Sequence, residues 1–362
     1  MKSITITYCF SANYGQFFQC FALQTFLKIF GKNEVLNFSI FSFKELFCSY
    51  EKFVGSKAKK CIPFLWKVLA FWRILKIYYE ANFSSILGRK VFLEYIDFTQ
   101  YFSNYRQILK TSLDVDVFIA GSDQIWNMAN IYRNHNKIYF LEFAEKRKKI
   151  SYAASRGKKW NIEDEKFAIR NLKEFSAVSV REQSFADYLN NLGIKTACVC
   201  DPTILHKADF YYKKFGLKKS TTDNYIFIYK LREPIPIFDN HKIIIVDLQK
   251  KKTLVSVGKW LSLIDKSEFV LTDSFHCVVF CILFHKPFAV FQNNRELKEM
   301  NERFFTILGK TNLEYRLLEG TETEELILET VKRPINWERV DAILEEWRDY
   351  SKKWLEDVLV GK

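Results

Sequence analysis

Glycine and proline are scarce, 12 and 6 among 362 residues, which excludes collagen-like and low-complexity chains and leaves no long flexible linker. Histidine numbers only 5. No two of the eight cysteines, at positions 9, 20, 48, 61, 198, 200, 277 and 281, are spaced Cys-x-x-Cys, and no histidine spacing completes a zinc set. Free thiols and no metal are expected. The opening, Met1-Lys2-Ser3-Ile4-Thr5-Ile6-Thr7, lacks the apolar run of a signal-peptide core, so a reducing, cytoplasmic setting is expected. Acids fall short of bases, 42 against 55, for a net charge of +13. A surplus of that sign attracts nucleic acid, anionic lipid or phosphorylated small molecules, and charge alone does not choose among them.

What is plentiful is apolar. The chain is 48% hydrophobic, with 35 Phe and 18 Tyr, enough to bury a core in each of two domains. A strand over 4–8, a polar loop, an apolar helix over 17–30 ending at Gly31 and a strand over 34–38 make a βαβ opening. Further strands are expected at 115–120, 149–153, 177–180 and 196–200, with helices over 162–175 and 183–192. A second series follows at 225–229, 242–246, 269–272 and 288–291. The expectation is an α/β protein of two Rossmann-like α/β/α domains with parallel sheets. Its parts are a first domain 1–205, a second domain 206–333, and a helix 334–362, N-capped by Asn336, packing back on the first domain.

Residues 57–90 differ in kind. They carry Lys57, Lys59, Lys60, Lys67, Arg73, Lys76, Arg89 and Lys90 against one acid, Glu80, with Phe, Trp and Tyr between them. Charges interrupt the run too often for a membrane-spanning helix. An interfacial helix on the membrane surface and a buried helix with snorkelling lysines both fit.

Two strand ends carry polar chemistry. Gly121-Ser122-Asp123-Gln124-Ile125-Trp126-Asn127 follows the strand over 115–120, where open α/β sheets bind ligands, although a plain capped turn would read alike. Leu271-Thr272-Asp273-Ser274-Phe275-His276 repeats that grammar, with Asp273 expected to cap the next helix and His276 in its first turn, suited to an anion or to proton transfer. A lone histidine is more often structural. Arg156, Arg181, Lys286 and Arg303 are supporting cations, each weak alone.

The succession Asn13-Tyr14-Gly15-Gln16, Gly121 to Asn127, Tyr152-Ala153-Ala154-Ser155, Val180-Arg181-Glu182, Asp201-Pro202-Thr203, Thr272-Asp273-Ser274-Phe275-His276 and Lys286-Pro287-Phe288 resembles the polysaccharide pyruvyl transferase family. The resemblance covers most of the chain. It implies an architecture like that of the GT-B glycosyltransferases, phosphoenolpyruvate as co-substrate with no cofactor, and a sugar acceptor on which a pyruvate ketal is built. It implies that His276 and Asp123 are catalytic, and that Ser274, Phe275, Lys286, Arg303 and Arg181 bind the donor. Asn13, Gln16, Ser122, Gln124, Asn127 and Arg156 would bind the acceptor, no residue would bind metal, and no nucleic acid is expected. A lipid-diphosphate-linked acceptor would bring the enzyme to the inner face of the membrane through 57–90. The sequence departs from the family pattern at Ser274, where some members carry arginine, at Cys277, often glycine, and at Arg156, usually aromatic. A GT-B glycosyltransferase using a nucleotide sugar and an inactive partner in polysaccharide assembly are the alternatives.

Overall fold

The computed structural model describes residues 1–9, 13–38, 71–72, 93–128, 133–144, 146–218, 222–238 and 241–361. The basic, aromatic segment 57–90 therefore lies outside the described residues, except for 71–72. In chain order the elements are β1 (Lys2–Ile6), α1 (Tyr14–Leu27), β2 (Lys32–Phe38), β3 (Phe98–Phe102), α2 (Tyr105–Lys110), β4 (Val117–Ala120), α3 (Arg133–Tyr139), β5 (Lys148–Ser151), α4 (Ile162–Leu172), β6 (Val178–Val180), α5 (Gln183–Asn191) and β7 (Thr196–Cys198). They continue with α6 (Ala208–Lys214), β8 (Ile226–Lys230), β9 (Ile243–Asp247), α7 (Val257–Lys266), β10 (Phe269–Thr272), α8 (Phe275–Leu283), β11 (Phe288–Phe291), α9 (Glu302–Thr311), β12 (Leu317–Leu318), α10 (Glu324–Lys332) and α11 (Trp337–Val360).

Two five-stranded sheets organise the chain, in the orders β3-β2-β1-β4-β5 and β12-β11-β10-β8-β9. All their pairings are parallel. Every residue of β4, β10 and β11 is buried, which is why these strands read as unbroken apolar runs in the sequence. Each order reverses once, between β1 and β4 in the first sheet and between β8 and β10 in the second. Such reversals open a crevice outside the carboxyl ends of the strands.

By its contacts the chain divides into two compact units: Met1–Ala12, Gln24–Ser179 and Leu189–Thr196 in one, Asn13–Leu23, Val180–Tyr188 and Ala197–Lys362 in the other. No single cut at 205 produces this division. The first half of α1 belongs with the second unit because Phe18 is 4.7 Å from Phe280, Tyr14 stacks on Trp260 at 5.1 Å, and Phe21 stacks on Phe210 at 5.9 Å. α8, apolar but for His276 and with all nine residues buried, is the axis of that core, as expected of a helix hydrophobic on nearly every side.

Asn336 caps α11 as anticipated, its Oδ1 accepting from Arg339 N at 3.0 Å. Its buried face, Val340, Leu344, Trp347, Ser351 and Leu355, packs on α9 and on the turn Pro202–Leu205. Cys200 N donates to Ser351 Oγ at 2.9 Å and Arg348 Nε to the Ile204 carbonyl at 2.6 Å. That turn was expected to end the first domain, but the contacts place it, with α11, in the second unit.

Candidate functional site

In the second unit, the loop after β10 is built by hydrogen bonds that reassign two residues. The Asp273 carboxylate does not cap α8. It turns back to accept from the amides of Leu231 at 2.6 Å, Arg232 at 2.7 Å and Glu233 at 2.9 Å, at the end of β8. Ser274 is the cap, its Oγ accepting from Cys277 N at 3.4 Å, so the hydroxyl expected to bind donor already has a structural partner. His276 follows in the first turn of α8, only 6% exposed.

Behind the ring lies a buried chain of charges. His276 Nε2 is 3.4 Å from Asp201 Oδ2, an ion-pair distance without hydrogen-bond alignment. Arg181 Nη1 donates to the same oxygen at 3.0 Å, and Arg181 Nε to Glu182 Oε1 at 3.1 Å. The other Asp201 oxygen accepts from Thr203 N at 3.0 Å and Thr203 Oγ1 at 2.7 Å. Burial alone would raise the Asp201 carboxyl, but the His276 ring, Arg181 and the Thr203 hydroxyl outweigh it and hold the group well below the usual carboxylate range. The Arg181 guanidinium sits over the Phe275 ring at 4.8 Å.

α1 closes on this group. The side chain of Asn13 accepts from Gly15 N at 2.9 Å, and the Tyr14 hydroxyl donates to the Val255 carbonyl at 2.7 Å. A Cβ on Gly15 would stand 2.2 Å from His276 Nδ1. Glycine is needed there because the imidazole occupies the space a side chain would fill. Asn13 and Gln16, expected beside the first domain's loop, thus cluster with the second unit.

The three cations offered in place of an arginine at 274 separate. Lys286 lies beyond the other end of nine-residue α8, a helix length of about 13 Å away, and donates to the Ser267 carbonyl at 3.2 Å and Thr222 Oγ1 at 3.3 Å. Its position corrects the expectation that it joins His276. Arg181 is committed to two carboxylates. Arg303 lies in the first turn of α9, beside Phe304, whose ring is 6.3 Å from Phe275.

In the first unit, the end of β4 forms a second group. Gly121 has φ +129°, and a Cβ there would meet the Tyr152 carbonyl oxygen at 2.1 Å. Asp123 follows in the left-handed region at φ 71°. Thr7 Oγ1 donates to the Ser122 carbonyl at 2.9 Å, joining the ends of β1 and β4. Ser155 N donates to Asp123 O at 2.9 Å and Trp126 N to Ser155 O at 3.1 Å, so the segments 121–127 and 152–156 run side by side. This brings Ser122, Asp123, Gln124, Asn127 and Arg156 together. Gln124 Nε2 is buried with no hydrogen-bond partner among the described residues. Among the described residues no cluster of His, Cys, Asp or Glu is arranged to hold a metal ion.

Sequence reasoning did not assign Asp201, Glu182, Thr203 or Gly15 to the site. All four stand in the quoted motif fragments. The missing signal was that β6 and β7 are neighbours, which carries the residues after them to one place.

Two parallel, Rossmann-like α/β units place the protein in the GT-B fold class, and solved structures agree. The chain is similar over 100% of both chains, at TM-score 0.55 and 11% identity, to a UDP-GlcNAc 2-epimerase from Neisseria meningitidis bound to UDP-GlcNAc. It is similar to S. aureus MnaA in its UDP co-structure at TM-score 0.53 and 11% identity, over 99% of this chain and 96% of that one. With the Methanocaldococcus jannaschii UDP-GlcNAc 2-epimerase the TM-score is 0.51 at 12% identity, over 94% and 95%. No curated protein sequence matches the chain. The family is shown directly: the polysaccharide pyruvyl transferase family model matches residues 13–295, and the chain belongs to that family. Membership makes it a transferase of polysaccharide modification.

Proposed function

We propose that the protein transfers pyruvate from phosphoenolpyruvate to a sugar of a cell-surface polysaccharide or its lipid-linked precursor, closing a ketal on two hydroxyls. The observation that carries this reading is the buried His276 imidazole in the first turn of α8 with the ionised Asp201 behind it. It sets a proton carrier at a helix end suited to anions.

The donor is an enol phosphate, so transfer requires a proton at its methylene carbon, and His276 supplies it. The adjacent carbon then becomes electrophilic. One sugar hydroxyl adds there and gives its proton to Asp123; a second hydroxyl displaces the phosphate, which leaves with that hydroxyl's proton. One donor and one diol yield one ketal and one inorganic phosphate. Arg303 is the favoured cation for the phosphate, and Phe275 borders the donor. Ser122, Gln124, Asn127 and Arg156 hold the acceptor, the Gln124 amide offering its open donor to a sugar oxygen.

A second reading, transfer from a nucleotide sugar, draws on the fold, which two of the similar structures share with UDP-GlcNAc or UDP bound. Thermal shift separates them: phosphoenolpyruvate raising the melting temperature where UDP-sugars do not supports pyruvyl transfer, and the reverse contradicts it. An inactive assembly partner would respond to neither.

A further inference from the structure

We propose that Asp201 is the positioning residue of His276: its carboxylate, fixed by Arg181 and Thr203, sets a negative charge at ion-pair distance from Nε2 and leaves Nδ1, beside Gly15, as the nitrogen that exchanges a proton with substrate. This rests on the reading of His276 as the acid. Asp201 Oδ2 lies 3.4 Å from Nε2, on the ring edge away from Gly15. The carboxylate cannot turn aside, because Thr203 grips one oxygen twice and Arg181 the other. Asp201 is 1% exposed and Arg181 2%, so no water screens the group.

Arg181 and Glu182 therefore act through Asp201. With Nε to Glu182, Nη1 to Asp201 and its face on Phe275, the guanidinium spends its charge inside the protein. A carboxylate held this way favours a proton on the nitrogen facing it, while the opposite nitrogen carries out the transfer. The groups around the pair come from several elements. They are Arg181 and Glu182 after β6, Thr203 in the 202–205 turn, Tyr211 on α6, and Arg348 of α11 bonded to that turn. Asp201, Arg181 and Glu182 sum to one negative charge beside the ring.

Asp201→Asn keeps the shape and removes the charge. The expected result is kcat lower on the order of tenfold to a hundredfold, with the phosphoenolpyruvate KM little changed. The limb of the kcat pH profile set by loss of the acid's proton should move to lower pH. In a His276→Ala background the same substitution should cost almost nothing further. An unmoved pH profile, or full additivity with His276→Ala, would overturn the assignment.

A second readout needs no turnover and no substitution at Asp201. Nitrogen-15 spectra of the histidine-labelled unsubstituted protein, assigned with His276→Gln, should find Nε2 of His276 protonated at neutral pH. A bare Nε2 overturns the proposal. Failure of pyruvyl transfer with Nε2 protonated would instead refute the functional reading while leaving the Asp201 assignment standing.

Discussion

At the scale of single residues, the proposed chemistry rests on an imidazole that is almost fully buried and flanked on both edges. His276→Ala should lower kcat/KM by about 10²–10⁴ with the fold retained, if the ring is the general acid. His276→Gln divides the two roles the ring could have: donor bound without turnover indicates acid catalysis, and loss of donor binding indicates an anion anchor. Near-normal kcat/KM in either variant contradicts both. The position of this histidine was legible because it tops an apolar strand and opens an apolar helix. The division of labour between its neighbours was not. Asp273 and Ser274 are both good caps by chemistry, and three converging amides at the end of β8 draw the stronger acceptor, Asp273, away from the helix. Lys286 was misplaced because proximity in sequence to a helix says nothing about which end of it a residue meets.

At the scale of elements, the strands flanking both sheet reversals were readable from apolar runs bounded by turns. β10 and β11 fall where expected, and β1, β4 and β8 within two residues of it. β3 was missed because it has only one buried residue in five, too little for period or hydrophobicity to register. α1 was read as a helix, but its membership of two units depends on which aromatic faces meet. The segment joining the 202–205 turn to α6 carries a pH dependence. Burial pushes His206 down to about 4, against the usual 6.5, with its ring stacked on Phe210 at 4.1 Å and Nε2 3.0 Å from the Ala22 carbonyl. The ring is thus neutral when folded, while the unfolded chain takes up a proton below about pH 6.5. Stability should fall as pH drops from about 6.5 to 4, by about 3 kcal/mol at most, and then change no further from this group. Asp201 has the same sign in a lower window, its contribution being lost only as the pH falls below about 4. Urea midpoints at pH 7, 5.5 and 4.5 check this. His206→Gln, which keeps a donor for the Ala22 carbonyl, should flatten the upper part of the curve, and an unchanged slope would exclude His206 as its source.

At the scale of the molecule, the two-domain α/β fold and the family were legible because fragments spread from Asn13 to Phe288 each sit at a strand or helix end, where chemistry outweighs packing. The boundaries were less so, since the units interleave along the chain. Among the described residues no helix is long and apolar enough to cross a membrane. The eight bases and interleaved aromatics of 57–90 lead us to propose docking on an anionic surface, at about 1 kcal/mol per well-placed base. Sedimentation with phosphatidylglycerol vesicles should show binding that weakens with salt and falls when Lys57, Lys59, Lys60, Lys67 and Lys76 are neutralised; no binding at low salt would exclude docking. The central claim is the reaction itself. With phosphoenolpyruvate labelled with carbon-13 at its second carbon and a lipid-linked or free oligosaccharide acceptor, phosphate release should require both partners, and the label should appear as a ketal carbon on the sugar, with both products formed far more slowly by His276→Ala. Sugar transfer from a UDP-sugar without any phosphoenolpyruvate would contradict the account.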